Sequence, residues 1–230
     1  CHGDPLKHKA RLCVQGFDQI EGVDHGDTFA PTGKVSTLKM LLLYALHQNL
    51  SLTQFDVQGA FLHAPLSEEV YIKTPKGVNR NAPYLKLKKA LYGLKQAPKN
   101  WYETLASWLE SVGFHESNCD PCLYLCDDKV SQIFLHVNDI VLVGPGNRFK
   151  DKFAKRFSNS SCHDPNTILG MKLERIGNKI LLSQPKHIDH GLEELGLLNC
   201  KPSLTPLTPH LKLKEALDED HALFKKENVN

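Results

Sequence analysis

The 230-residue chain has no apolar run near the ~20 residues needed to cross a bilayer. Its longest candidate, Leu38 to Leu46, is short and carries Lys39, so no membrane partner is expected. Net charge is nearly absent: +2 is too little to point to an acidic or a basic ligand, and only local clusters can do so. An even cysteine count is also missing. Seven Cys scattered through a chain without a signal peptide predict reduced thiols in a cytoplasmic or nuclear setting rather than a disulfide framework. There is no internal repeat, and no Met at the start. The chain opens on Cys1, and Leu6-Lys7-His8-Lys9-Ala10-Arg11-Leu12 reads as entering mid-structure, so a fragment of a longer polypeptide is expected.

What is present is an alternation of helix and strand-pair signals. Residues 9–17 suggest a strand, and 18–35, rich in Gly, Asp, Thr and Pro, a long loop. Ser36 is a plausible N-cap for a helix from Thr37 to about Gln48, burying Leu38, Leu41, Leu42, Ala45 and Leu46. Strands are expected at Leu52–Val57, Glu69–Lys73 and Tyr84–Lys88, with a turn or short helix at Gln58–His63. Pro98 suits the start of a helix ending before Gly113, with Trp101, Leu105, Trp108 and Leu109 on one face. Cys122–Cys126, Asp127-Asp128-Lys129 and Ile133–Val137 read as strand, turn, strand. A helix at Arg148–Phe157, a hairpin from Ile168–Glu174 and Lys179–Leu182, and a helix at Lys186–Leu195 follow. The Pro-rich stretch Lys201–Pro209 reads as a linker. Sequential hairpins interleaved with helices predict an α+β fold with a mostly antiparallel sheet.

Two segments carry chemistry. In Phe134-Leu135-His136-Val137-Asn138-Asp139-Ile140-Val141-Leu142-Val143-Gly144, apolar β-branched runs flank a polar pair, the signature of a hairpin with Asn138-Asp139 at its tip. Upstream, Gln54-Phe55-Asp56-Val57 places an Asp on a strand. An Asp on one strand and an acidic pair on a neighbouring hairpin tip is how a two-metal phosphoryl-transfer site is assembled; here one of the three carboxylates is an amide.

A series of blocks, in order, then carries a resemblance. These are Lys9-Ala10-Arg11-Leu12 with Gly16-Phe17; Thr28-Phe29-Ala30-Pro31; Asp56-Val57 with Ala60-Phe61-Leu62-His63; Leu91-Tyr92-Gly93-Leu94-Lys95-Gln96-Ala97-Pro98 with Trp101-Tyr102; and Leu169-Gly170 followed by Leu182-Ser183-Gln184. Together they resemble the reverse transcriptase domain of copia-type long-terminal-repeat retrotransposons. The resemblance implies a right-hand polymerase over residues 1–206, fingers mainly in 7–50 and 66–95, palm mainly in 51–65 and 96–183, and the thumb partial at best. Residues 207–230 would be a truncated connection segment or a disordered tail.

The resemblance also implies roles. Asp56, the Val57 backbone and Asp139 would hold Mg²⁺, or Mn²⁺ in its place, with Asn138 at a degenerate catalytic Asp position. Paired Mg²⁺ ions roughly 3.5–4 Å apart stabilise the attacking and leaving oxygens in such sites. Lys9, Arg11, Gly59, Ala60, Phe61, Tyr92 and Gly93 would contact the incoming deoxynucleoside triphosphate, with Phe61 excluding a 2′-hydroxyl. Leu169, Gly170 and Met171 would grip the primer terminus. Read from the residues alone, Lys86, Lys88, Lys89, Lys95 and Lys99 lie in a run, Tyr84 to Tyr102, without an acidic residue and interleaved with aromatics. That suits phosphate contacts and base stacking on an RNA or DNA template with its primer. A solvated surface would explain the same lysines. Cys119, Cys122 and Cys126 with His115 invite a zinc site, but two of the thiols fall inside an apparent strand and no second cluster completes the pattern, so no zinc is expected.

Losing a unit charge beside a divalent ion costs several kcal/mol even at an effective dielectric of roughly 20. The leading expectation is therefore a reverse transcriptase domain with severely impaired synthesis. The alternatives are a non-catalytic nucleic-acid-binding relict and a purely structural remnant. The remainder of a retrotransposon polyprotein is the expected covalent partner, and cytoplasmic virus-like particles or the nucleus the expected location.

Overall fold

The computed structural model describes residues 10–201 together with Leu217 and Glu219. The chain divides into two compact units, residues 1–184 and 185–230. The first is α+β. Its main sheet holds β1 (Leu52–Asp56), β4 (Phe114–Ser117), β5 (Asp120–Cys126), β6 (Gln132–His136), β7 (Asp139–Val143) and β8 (Ser161–His163), every pairing antiparallel, in the order β4-β5-β6-β7-β1-β8. β2 (Tyr71–Lys73) pairs with β3 (Tyr84–Lys86), and β9 (Thr167–Ile168), β10 (Met171–Ile176) and β11 (Lys179–Ser183) make a third sheet. In the second unit the described residues include the helix α4 (Pro185–Glu194). Among the described residues no helix is long and apolar enough to cross a membrane.

The main sheet is covered on both faces because its central strands alternate between two cores. One core joins Phe55, Ile133, Leu135, Ile140 and Leu142 to α2 (Ala97–Ser111) through Trp101, Leu105 and Leu109, and to α3 (Phe149–Arg156) through Phe149 and Phe153. The other joins Leu52, Phe134, Val141 and Val143 to α1 (Val35–His47) through Leu38, Leu41, Leu42 and Ala45, and to Ile168 and Leu173 of the third sheet. By the same alternation Gln54 and Asp56 share the face of Leu52, and Asp139 that of Val141.

Several expectations need correction. No strand forms across 10–17: the described part is irregular up to a 3-10 turn at Gly16–Asp18. Val14 N–H does donate to the Tyr92 carbonyl at 2.7 Å. The two backbones are too close for a ladder, however: a Cβ on Gly16 would lie 1.8 Å from the Gly93 carbonyl oxygen, and one on Gly93 2.0 Å from that of Val14. Helix α1 starts at Val35 with Lys34 in the cap position, so Ser36 does not cap it, and Leu46 is only half-buried. Trp108 is likewise half-buried, packing its ring on Phe149, Phe153 and Phe157. The expected strand Ile168–Glu174 is broken by a two-residue turn, Leu169-Gly170, that pairs Ile168 with Met171. Both turn residues have positive φ, 53° and 73°, and glycine at the second suits that geometry.

Candidate active site

Register sets the site. His136 pairs with Asp139 across β6 and β7, so the connecting residues are Val137 and Asn138, and Asp139 is the first residue of β7 rather than part of the tip. Asn and Asp both tolerate positive φ, which made the polar pair look like the turn. The positive φ of 55° instead falls on Val137, a β-branched residue for which that region is strained. The indole of Trp101 in α2 is almost wholly buried and donates its Nε1 proton to the Val137 carbonyl at 2.8 Å. A helix thus fixes the strained turn from behind.

Asp56 and Asp139 are directly opposed across β1 and β7. Both are half-buried. Burial and then the like charge of Asp56 hold the Asp139 carboxyl above its ordinary pKa, against a hydrogen bond from Gln54 that favours the charged form. Gln54 donates from Nε2 to Asp139 Oδ1 at 3.2 Å and to the Thr167 carbonyl at 3.0 Å. Beside the pair, the buried Oδ1 of Asn138 has no hydrogen-bond partner among the described residues, and nor has Nδ1 of His136. Two mutually repelling carboxylates and an orphaned amide oxygen have the chemistry to hold a cation. Among the described residues no group of three or more His, Cys, Asp or Glu is arranged to hold a metal. The acidic set here is a pair, as the Asn at 138 dictates.

A cleft of about 290 Å³ opens beside it, lined by Arg11, Asp56, Val57, Gln58, Gly59, Tyr92 and Asn138 among others. Val57 turns its side chain into the core, leaving its backbone for any ligand. The Arg11 guanidinium lies 5.3 Å from the Tyr92 ring centroid, and the Phe61 ring 4.7 Å from it on packing contact. Ala60 and Phe61 lie in the 3-10 turn Ala60–His63 that Gly59 opens, and neither they nor Gly93 line the cleft. Lys9 lies outside the described residues. Sequence-separated blocks at 11, 56–59, 92 and 138 therefore meet at one cleft.

The family described as reverse transcriptase (RNA-dependent DNA polymerase) matches residues 3–209. The chain belongs to the reverse transcriptase family. It is similar to the retrovirus-related Pol polyprotein from transposon TNT 1-94 of Nicotiana tabacum, 36% identical over 92% of this chain and 17% of that protein. The Pol polyprotein from transposon RE1 of Arabidopsis thaliana is 33% identical over 92% of the chain and 15% of its own length. The transposon Ty1-MR1 Gag-Pol polyprotein of Saccharomyces cerevisiae is 30% identical over 88% and 12%. The chain thus spans less than a fifth of these relatives, and corresponds to the reverse transcriptase domain of Ty1/copia-type polyproteins.

The lysines of this reverse transcriptase domain are unevenly available. Lys86 is ion-paired with Glu69, Lys95 donates to the Gln19 carbonyl at 3.1 Å, and Lys99 lies 3.5 Å from Asp27 and 3.6 Å from Glu103. Lys88 and Lys89 are exposed. Leu169 and Gly170 form the β9–β10 turn and Met171 opens β10; Gln54 links Thr167, at the start of β9, to Asp139. His115 does not face the thiols: it is held between Glu110 and Asp127 at 2.7 and 2.8 Å. Cys122 and Cys126 are buried in β5, and burial pushes both thiols up. Sequence reasoning missed Trp101 and Gln54 as supports of the site. For Gln54 there was a signal: a polar residue two before Asp56 on a strand must share its face.

Proposed function

We propose that this domain is built for template-directed DNA synthesis, and that Asn138 leaves the copy severely impaired. The observation that carries the reading is that Asp56 and Asn138 line one cleft while Asp139, which does not line it, stands directly opposite Asp56 across β1 and β7. The six-stranded sheet with α2 and α3 corresponds to a palm, and the segments before α1 and around β2 and β3 to fingers. A primer 3′-hydroxyl would attack the α-phosphorus of a deoxynucleoside triphosphate, forming one P–O bond as the bond to the β-phosphate breaks and pyrophosphate leaves. Asp56, the Val57 carbonyl and Asp139 would hold Mg²⁺ or Mn²⁺, which supplies charge stabilisation of the attacking and leaving oxygens. Arg11 would meet the triphosphate, and Tyr92, backed by Phe61, the sugar. Exposed Lys88 and Lys89 would meet the phosphates of an RNA or DNA template and primer. The rest of a retrotransposon polyprotein would complete the machine.

The test is primer extension with Mg²⁺ by the chain as it stands and by Asn138→Asp. Extension only by the variant is expected; equal extension by both refutes the impairment, and none by either refutes the polymerase reading. In the Asn138→Asp background, Phe61→Ala should admit ribonucleotides, read as their incorporation relative to deoxynucleotides. A second reading rests on the same amide: the copy binds primer–template without extending it, and binding that weakens steeply with salt would support that reading.

A further inference from the structure

We propose that Gln54 is a positioning residue that couples the β9–β10 turn to the Asp139 carboxylate, an inference resting on the polymerase reading above. Gln54 is 4% exposed and lies on β1 between β7 and β8, opposite Val141 on one side and His163 on the other. A primary amide has two protons to donate. One goes to Asp139 Oδ1, 85 residues away in sequence, and the other to the Thr167 carbonyl, 113 residues away. Both contacts are acceptors, so turning the amide over would set its oxygen against a carboxylate and a carbonyl; the orientation is fixed by chemistry. Its Oε1 is buried and finds no partner among the described residues. The arrangement thus forgoes a hydrogen bond on one side of the amide in order to make two on the other.

The face Gln54 occupies continues as Leu52, Val141 and Val143, an apolar cluster that a Met or Leu would extend. Packing alone does not call for an amide there. What the amide adds is a link between two elements that do different work. Thr167 belongs to β9, and the next residue, Ile168, closes the Leu169-Gly170 turn against Met171. Any movement of that turn on engaging a primer end shifts the Thr167 carbonyl. The amide bonded to it then moves against the carboxylate that faces Asp56. Coupling of this kind is reciprocal: a cation that draws Asp139 into place also restrains the turn.

Two measurements test it on the full chain. In the unmodified protein, the side-chain amide protons of Gln54, read by ¹⁵N NMR, should exchange with solvent about 100-fold more slowly than those of exposed Gln58. In metal-free solution the Asp139 carboxyl ¹³C resonance should move in Gln54→Met, which keeps length and shape but donates nothing. Fast exchange at Gln54, or an Asp139 resonance unmoved by the substitution, overturns the proposal. In the Asn138→Asp background, Gln54→Met should lower kcat by about 10- to 100-fold, the loss expected for a hydrogen bond to a charged group, with the deoxynucleotide KM little changed. An equal fall in kcat and rise in KM would mark a general loosening and count against coupling. An Asn138→Asp chain that extends no primer would sink the polymerase reading instead, and the two resonance measurements would still decide for or against the Gln54 link.

Discussion

The two-residue turns at Val137-Asn138 and Leu169-Gly170 lie on neighbouring hairpins and are built in opposite ways. In the first, positive φ falls on a β-branched residue, the turn carbonyl is held by a buried indole, and a buried amide oxygen is left unsatisfied. In the second, both residues adopt positive φ, one is glycine, and a Cβ added there would meet nothing within 4 Å. The first turn is over-determined by its surroundings, as strained backbone at reactive sites must be. The second leaves open space around its glycine, although Leu169 also carries a positive φ. On the proposed reading the first turn would hold a charge in place and the second would yield to a ligand.

The largest test of that contrast is Asn138→Asp, which puts a carboxylate on the rigid turn beside Asp56 and Asp139. Primer extension should rise by about three orders of magnitude or more, since each ~1.36 kcal/mol is tenfold. Next comes Trp101→Phe, which keeps an aromatic ring but leaves the Val137 carbonyl without its donor. Urea unfolding should show a loss of about 1 kcal/mol, the net worth of a hydrogen bond that is only part-buried. No loss would mean the turn does not depend on α2. Effects of similar size but opposite sign to each other are expected from glycine exchange. Val137→Gly should relieve strain and stabilise the fold, whereas Gly170→Ala should destabilise it despite open space, each by about 1 kcal/mol. Matching signs in thermal unfolding would erase the contrast.

How much of this was legible in the sequence depends on the range of the interactions. Helices α1 and α2 follow from apolar spacing at Leu38, Leu41, Leu42 and Ala45 and at Trp101, Leu105 and Leu109, all of which are buried. The β6–β7 hairpin was visible as well. Its tip was read one residue late because propensity favours Asn and Asp at positive φ, whereas the register closing at His136 and Asp139 forces it onto Val137. The strand expected at 9–17 failed because close contact between Gly16 and Gly93 replaces pairing with packing. Trp101 acts through a partner 36 positions distant that no local pattern reports, and for Gln54 the face shared with Asp56 was legible but its partners 85 and 113 positions away were not.

The smallest predicted effect lies apart from both turns and serves as their control. His115 has its pKa raised by the hydrogen bonds its ring donates to Glu110 and then to Asp127. A raised folded pKa means that the contact stabilises most below the ordinary histidine value and fades as pH rises through the elevated one. The Tm difference between the chain and His115→Ala should therefore be larger at acid pH than at alkaline pH, with primer binding unchanged at both.

The bare approach of Gly16 to Gly93 has a consequence for how such a chain drifts. The clash belongs to the pair of segments, so the first methyl introduced at either position must prise them apart, and a second then enters a gap already made. Only the backbone penalty at Gly93, at φ 95°, would remain. The two sites are epistatic, and the order in which a lineage loses them decides which loss is felt.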